Sequence, residues 1–115
     1  MIIRENEIKE ERIDNLRGGD GSVSKCDYLS ESMPYHGKLF AKLSLEPGCS
    51  IGTHKHEGEY EVFFIIEGEA TLNDNGVEKI LYPGDVSLCR EGEIHGIANR
   101  GQNTVKLFAC IITEK

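Results

Sequence analysis

At 115 residues, with 38% hydrophobic side chains and 13 glycines, the chain has room for one domain and one core. A net charge of −7 and a pI near 5.1, with no cluster of Lys or Arg, argue against nucleic acid and anionic membrane as partners. No apolar run approaches the roughly 20 residues that span a bilayer and the N-terminus lacks a signal-peptide layout, so a cytoplasmic location is expected.

Residues 1–17 are charged, and Ile3, Ile8, Ile13 and Leu16 follow no regular helical spacing. The pattern supports a short strand at Ile2–Ile3 and one helical turn after it. Glycines crowd the loop Arg17–Gly21, which predicts backbone angles closed to other residues or a close approach of another segment. Residues 22–29 alternate as a strand, and Pro34 breaks the stretch 30–37. Leu39, Ala41, Leu43 and Leu45 then alternate with Phe40, Lys42, Ser44 and Glu46, a half-buried strand that Pro47-Gly48 ends.

A strand carrying two histidines follows, and then Val62–Ile66, apolar throughout, between Glu61 and Glu67. Such a run suits a strand covered on both faces. Parity places Glu61, Phe63 and Ile65 on one face and Val62, Phe64 and Ile66 on the other. So short a chain cannot cover the second face alone, and a homodimer is expected. Ala70 and Leu72 begin another strand, Asp74-Asn75-Gly76 makes a hairpin turn, and Val77–Tyr82 returns. After the turn Pro83-Gly84-Asp85 come strands at Val86–Cys89, Ile94–Asn99 and Thr104–Thr113, separated by turns. This rhythm, without a convincing helix, predicts an all-β domain of antiparallel strands over residues 1–115. The core barrel is expected over about residues 38–113, with residues 1–37 packed on it or on a partner subunit. Cys26, Cys49, Cys89 and Cys110 are scattered, with no Cys-x-x-Cys pair, and read as reduced thiols.

The chemistry gathers between Gly48 and Gly68. Residues i and i+2 of a strand share a face, so His54 and His56 point at one spot. A turn at Glu57-Gly58 brings Glu61 back to that spot from the next strand. Two imidazoles and a carboxylate make a transition-metal site that wants a fourth ligand. Cys49 is close in sequence, but Gly48 and Ser50 beside it suggest a turn. His36 lies in the Pro34 loop, whereas His95 sits in a strand after a glycine-bounded turn.

Gly48, His54, His56, Glu61 and Gly68 match the first motif of the cupin superfamily, and Gly84, Gly92, His95 and Asn99 match the second. Arg90 stands where the second motif usually has proline. The chain therefore resembles the cupins. Residues 39–42, 56–59 and 90–93 are similar to those of small single-domain, oxalate-decarboxylase-like members. The resemblance implies a double-stranded β-helix or jelly-roll barrel, with one divalent metal per chain held by His54, His56, Glu61 and His95.

Three neutral imidazoles and one carboxylate leave a charge near +1 around a divalent ion, and the mix of nitrogen and oxygen suits Mn, Fe, Co, Ni or Zn. Open coordination positions favour a small anionic or chelating ligand. Decarboxylase- or dioxygenase-like chemistry also needs a proton donor. Glu59, which shares parity with Glu61, is the candidate, although a solvated turn residue is the commoner fate for such a glutamate. Phe63, Ile65 and Ile97 are expected to line the pocket, and Arg90 and Arg100 are candidate contacts for an anion. Two function classes follow: a small metalloenzyme acting on a small carboxylate, or a non-catalytic module that binds or senses a small molecule through its metal.

Overall fold

Alternating apolar and polar residues become ten antiparallel strands in the computed structural model, which describes residues 1–114, Glu31 through its backbone only. The strands are β1 (Glu11–Asp14), β2 (Ser22–Asp27), β3 (Gly37–Leu45), β4 (Ser50–Lys55), β5 (Glu59–Glu67), β6 (Ala70–Asp74), β7 (Val77–Leu81), β8 (Val86–Cys89), β9 (Ile94–Ala98) and β10 (Val105–Thr113). A six-stranded sheet, in the order β1-β2-β3-β10-β5-β8, packs against a four-stranded sheet, β4-β9-β6-β7. Among the described residues the only helices are three short 3-10 turns, none long or apolar enough to cross a membrane.

The inward residues of both sheets form one core, with Ala41, Leu43 and Leu45 meeting Phe63 and Ile65, Leu107 and Ala109, and Leu72 and Ile97. Burying a side chain the size of Phe63 contributes roughly 2–3 kcal/mol. The parity of β5 is as the sequence predicts: Glu61, Phe63 and Ile65 are buried, and Phe64 and Ile66 are exposed. The strand begins earlier than expected, at Glu59. Asn75 and Gly76 both have positive φ, the primed turn that matches the twist of the β6–β7 hairpin.

The N-terminus differs from expectation. Ile2 and Ile3 form no strand; the first strand is β1, in a charged stretch. Its ladder comes from pairing with β2, Glu11 opposite Lys25 and Ile13 opposite Val23, so partner geometry outweighs the weak local pattern. Together β1 and β2 extend the six-stranded sheet in cis beyond β3. Ion pairing of Glu5 with Lys42 at 2.7 Å ties the preceding segment down.

Two local features aim the strand that carries the histidines. In β4, Ile51 pairs with Ile97 and His54 with His95, so Gly52 and Thr53 together oppose the single residue Gly96. This bulge shifts the parity of β4 by one residue. Ile51 and His54, an odd number apart, therefore both face inward. Gly96 makes room, since a side chain there would press on Thr53. The glycine loop after β1 also lies directly on β4. A Cβ at Gly52 would overlap the Arg17 carbonyl, and one at Gly19 would overlap the Ser50 carbonyl. The close approach expected of that loop is thus made against β4. Gly18 and Gly21 take positive φ, and so does Arg17, at 55°.

Candidate metal centre

His54 on β4, His56 just beyond it, and His95 on β9 come from the four-stranded sheet, and Glu61 on β5 comes from the facing one. The loop 90–93 anchors His56: its amide donates to the Glu93 carbonyl, and its carbonyl accepts from the Gly92 amide at 2.7 Å. The second motif's Asn99 is structural. Its side-chain amide donates to the carbonyls of Leu45 and Asn103, and its own carbonyl accepts from the Gly48 amide.

The ligand atoms of the four residues lie within 4.8 Å of one another, and His56, Glu61 and His95 are buried. His56 Nε2 is 3.1 Å from His54 Nε2, 3.0 Å from His95 Nε2 and 3.0 Å from Glu61 Oε1. His95 Nε2 is also 3.0 Å from Glu61 Oε1. Two donors about 2.1 Å from a common ion and at right angles to each other stand about 3.0 Å apart, so these edges fit one shared cation.

Protonation sharpens this. His54 Nδ1 is 2.7 Å from the Gly52 carbonyl, and His56 Nδ1 is 3.0 Å from Glu59 Oε1. Only a protonated Nδ1 can bond to these acceptors, which in a neutral ring leaves Nε2 as a bare lone pair. Two bare lone pairs facing each other at 3.1 Å repel unless positive charge lies between them. The cluster therefore calls for a cation, either a proton or a metal ion. Glu61, the strongest influence on His56, raises its pKa above the ordinary imidazole value; burial opposes the shift and Glu59 adds to it. Burial by itself would raise the pKa of Glu61, but hydrogen bonds from the three imidazoles outweigh it and hold the carboxyl far below the usual range. His95 stacks on Phe63, with ring centroids 4.7 Å apart, and its buried Nδ1 has no partner among the described residues.

Glu59 is not a solvated turn residue, and it stands outside the ligand group. It is buried, with Oε1 against His56 Nδ1 and Oε2 accepting from Lys38 Nζ at 2.9 Å. Burial pushes its pKa up, but Lys38 and His56 more than reverse that, so it stays ionised. Cys89 pairs with Glu61 across β8 and β5, and its thiol is pushed up to about 11, by burial first and then by Glu93, Glu61 and Asp74. It remains a neutral thiol. Cys49 also stands outside the ligand group, as does His36, which sits in the loop before β3.

A cavity of about 240 Å³ opens onto His54, His56 and Glu61. Phe63 lines it, with Leu39, Leu43 and Ile51. Ile65 and Ile97 lie in the core and do not line it. Ile65 lies beyond Phe63 on β5, and Ile97 lies opposite Ile51 on β9, where the core packs over it. Its cations are Arg17, Lys25 and Lys38. Arg100 is instead engaged with Glu78 at 2.7 Å, and Arg90 is exposed and does not border the cavity. Lys25 had a sequence signal: it shares parity with the buried Val23 on β2.

A cupin domain model matches residues 41–111. The chain is 44% identical over 113 residues to an oxalate-binding protein of Thermotoga maritima, covering 97% of this chain and 93% of that protein. A crystal structure described as a predicted oxalate decarboxylase of the same organism superposes with a TM-score of 0.93 at 43% identity, covering 98% of this chain and 99% of the other. A sugar phosphate isomerase of the cupin superfamily from Silicibacter pomeroyi superposes at 0.82 with 19% identity, covering 97% and 75%, a likeness of fold alone.

Proposed function

We propose, because this chain belongs to the cupin family, that it binds a small dicarboxylate of the oxalate class at one divalent metal ion held by His54, His56, Glu61 and His95. The observation that carries this reading is the cavity's charge. In a chain of net charge −7, the opening onto the ligand cluster is lined by Arg17, Lys25 and Lys38. A divalent ion bound there supplies a Lewis acid with room for carboxylate oxygens. The chain's own part is to orient the anion. Arg17 and Lys25 complement its charge, with Lys38 at the rim also paired to Glu59, while Phe63, Leu39 and Ile51 exclude water and favour a small ligand. The oxalate-binding name of the Thermotoga relative agrees with this chemistry.

Calorimetric titration of the manganese-loaded protein with oxalate tests the reading. Arg17→Gly keeps the positive φ that Arg17 adopts and removes its side chain with the charge. It is expected to weaken oxalate binding about tenfold, within the value of one charge-assisted hydrogen bond, at unchanged metal content. Equal affinity in the variant would remove Arg17 from the site. A decarboxylase is the second reading, and release of formate and carbon dioxide from oxalate distinguishes it from binding alone. The engagement of both Glu59 oxygens elsewhere favours binding.

The same proposal includes a homodimer through the outer face of the six-stranded sheet. Phe40, Phe64, Ile66, Val86 and Leu88 are 37–56% exposed there, and register places Phe64 beside both Val86 and Phe108. A contiguous apolar face of this kind marks an interface, and a second copy presents the same face. Phe64→Asp is expected to convert dimer to monomer in sedimentation velocity. A wild-type protein that sediments as a monomer at tens of micromolar would refute the interface.

A further inference from the structure

We infer that Glu59 is the positioning residue of the metal centre: it holds His56 from behind while Lys38 holds Glu59. The inference rests on the metal-binding reading and assigns a role to a residue outside the ligand group. Glu59 opens β5 two residues before the ligand Glu61, on the same inward face, and is 7% exposed. A buried carboxylate is costly unless its oxygens are engaged. Both are: His56 Nδ1 donates to Oε1 at 3.0 Å, and Lys38 Nζ donates to Oε2 at 2.9 Å.

The three ligand histidines are held from behind in three different ways. His54 leans on a backbone carbonyl, His95 Nδ1 has no partner among the described residues, and His56 leans on a charge. A carboxylate behind a ligating imidazole fixes its tautomer, orients the ring and increases its basicity. His56 alone lies within 3.1 Å of all three other ligand atoms, so its aim governs the cluster. Lys38 borders both the metal cavity and the shallow depression over Glu59, and so spans the inner and outer ends of this chain of contacts.

The test uses cobalt(II), which reports both affinity and ligand field. Wild type, Glu59→Gln, Lys38→Met and Glu57→Gln are compared by chelator competition and by the visible spectrum of the loaded protein. Glu57 is the control, a neighbouring glutamate whose side chain is 78% exposed. Glu59→Gln keeps the shape and loses the charge. It is expected to weaken cobalt binding about 10- to 100-fold, the usual effect of losing such a partner, and to shift the visible bands. Lys38→Met, which frees Glu59 on one side, should shift the bands in the same direction by less, and Glu57→Gln should match wild type. Wild-type affinity in Glu59→Gln overturns the inference. So does weakened affinity with unshifted bands in both variants, which would report general loosening. Should wild type fail to take up one cobalt per chain, the metal reading falls as well, which separates the two failures.

Discussion

His95→Ala is expected to lower divalent-metal affinity by more than about 100-fold, beyond the upper end of what loss of a partner behind a ligand costs. His95 closes the cluster from the second motif, and its Nε2 lies 3.0 Å from both His56 Nε2 and Glu61 Oε1. Removing it leaves two imidazoles and one carboxylate and opens a gap beside Phe63, on which it stacks. His36→Ala is the control. That histidine stands outside the cluster, and its contacts with β10 run through its backbone carbonyl, which accepts from the Thr113 amide and hydroxyl. Elemental analysis after dialysis, with chelator competition for the constants, makes the measurement. Equal losses in the two variants would show that the ligand set has been misassigned. The metal-loaded wild type should also unfold at a higher temperature than the stripped protein, and His95→Ala should show no such difference.

Gly52→Ala should be the most damaging single-methyl change in the chain. The added carbon would collide with the Arg17 carbonyl and lie 2.9 Å from the Gly19 amide nitrogen, and both neighbours are backbone. Neither can yield without moving the loop or the bulge. A forced shift of this kind costs about 3 kcal/mol, which for a domain of this size lowers the unfolding temperature by roughly 10 °C. Because the Gly52 carbonyl accepts from His54 Nδ1, the same substitution should weaken metal binding. Gly58→Ala provides the contrast. Its φ is +70° and nothing stands within 4 Å of the added carbon, so it bears only the conformational cost of about 1 kcal/mol. Thermal unfolding of the two variants side by side decides the matter; comparable losses would mean that the contact between loop and β4 carries no stability.

The parts of the site legible in the sequence are those governed by local spacing. Alternation places Glu61 and Phe63 inward, and the glycine and histidine intervals bring His54, His56 and His95 together with Glu61. The bulge at Gly52–Thr53 was not legible, because alternation assumes one residue opposite one, and here two oppose Gly96. The Arg17 contribution was hidden for a different reason. Its backbone is in the left-handed region, in a loop far along the chain from the ligands, and only tertiary packing sets it against β4. Depth in the core was also out of reach: Ile65 and Ile97 have the right face but are covered by core neighbours. Glu59 exposed the limit of reasoning from residue type. A glutamate at the start of a strand is usually solvated, and the partners on its two oxygens, buried His56 and exposed Lys38, become visible only when β3 and the turn at His56 are both in place.

Strand β10 is made last of the ten, yet it lies in the middle of the six-stranded sheet, paired with β3 on one side and β5 on the other. His54, His56 and Glu61 come well before it in the chain, and His95 on the strand just ahead of it. Until β10 arrives, β3 and β5 have no common neighbour and the facing sheet has no lid. Placing β10 between them is a long-range insertion, and folds dominated by such pairings assemble slowly. The four candidate ligands are therefore expected to reach their mutual distances only once β10 has paired with both neighbours.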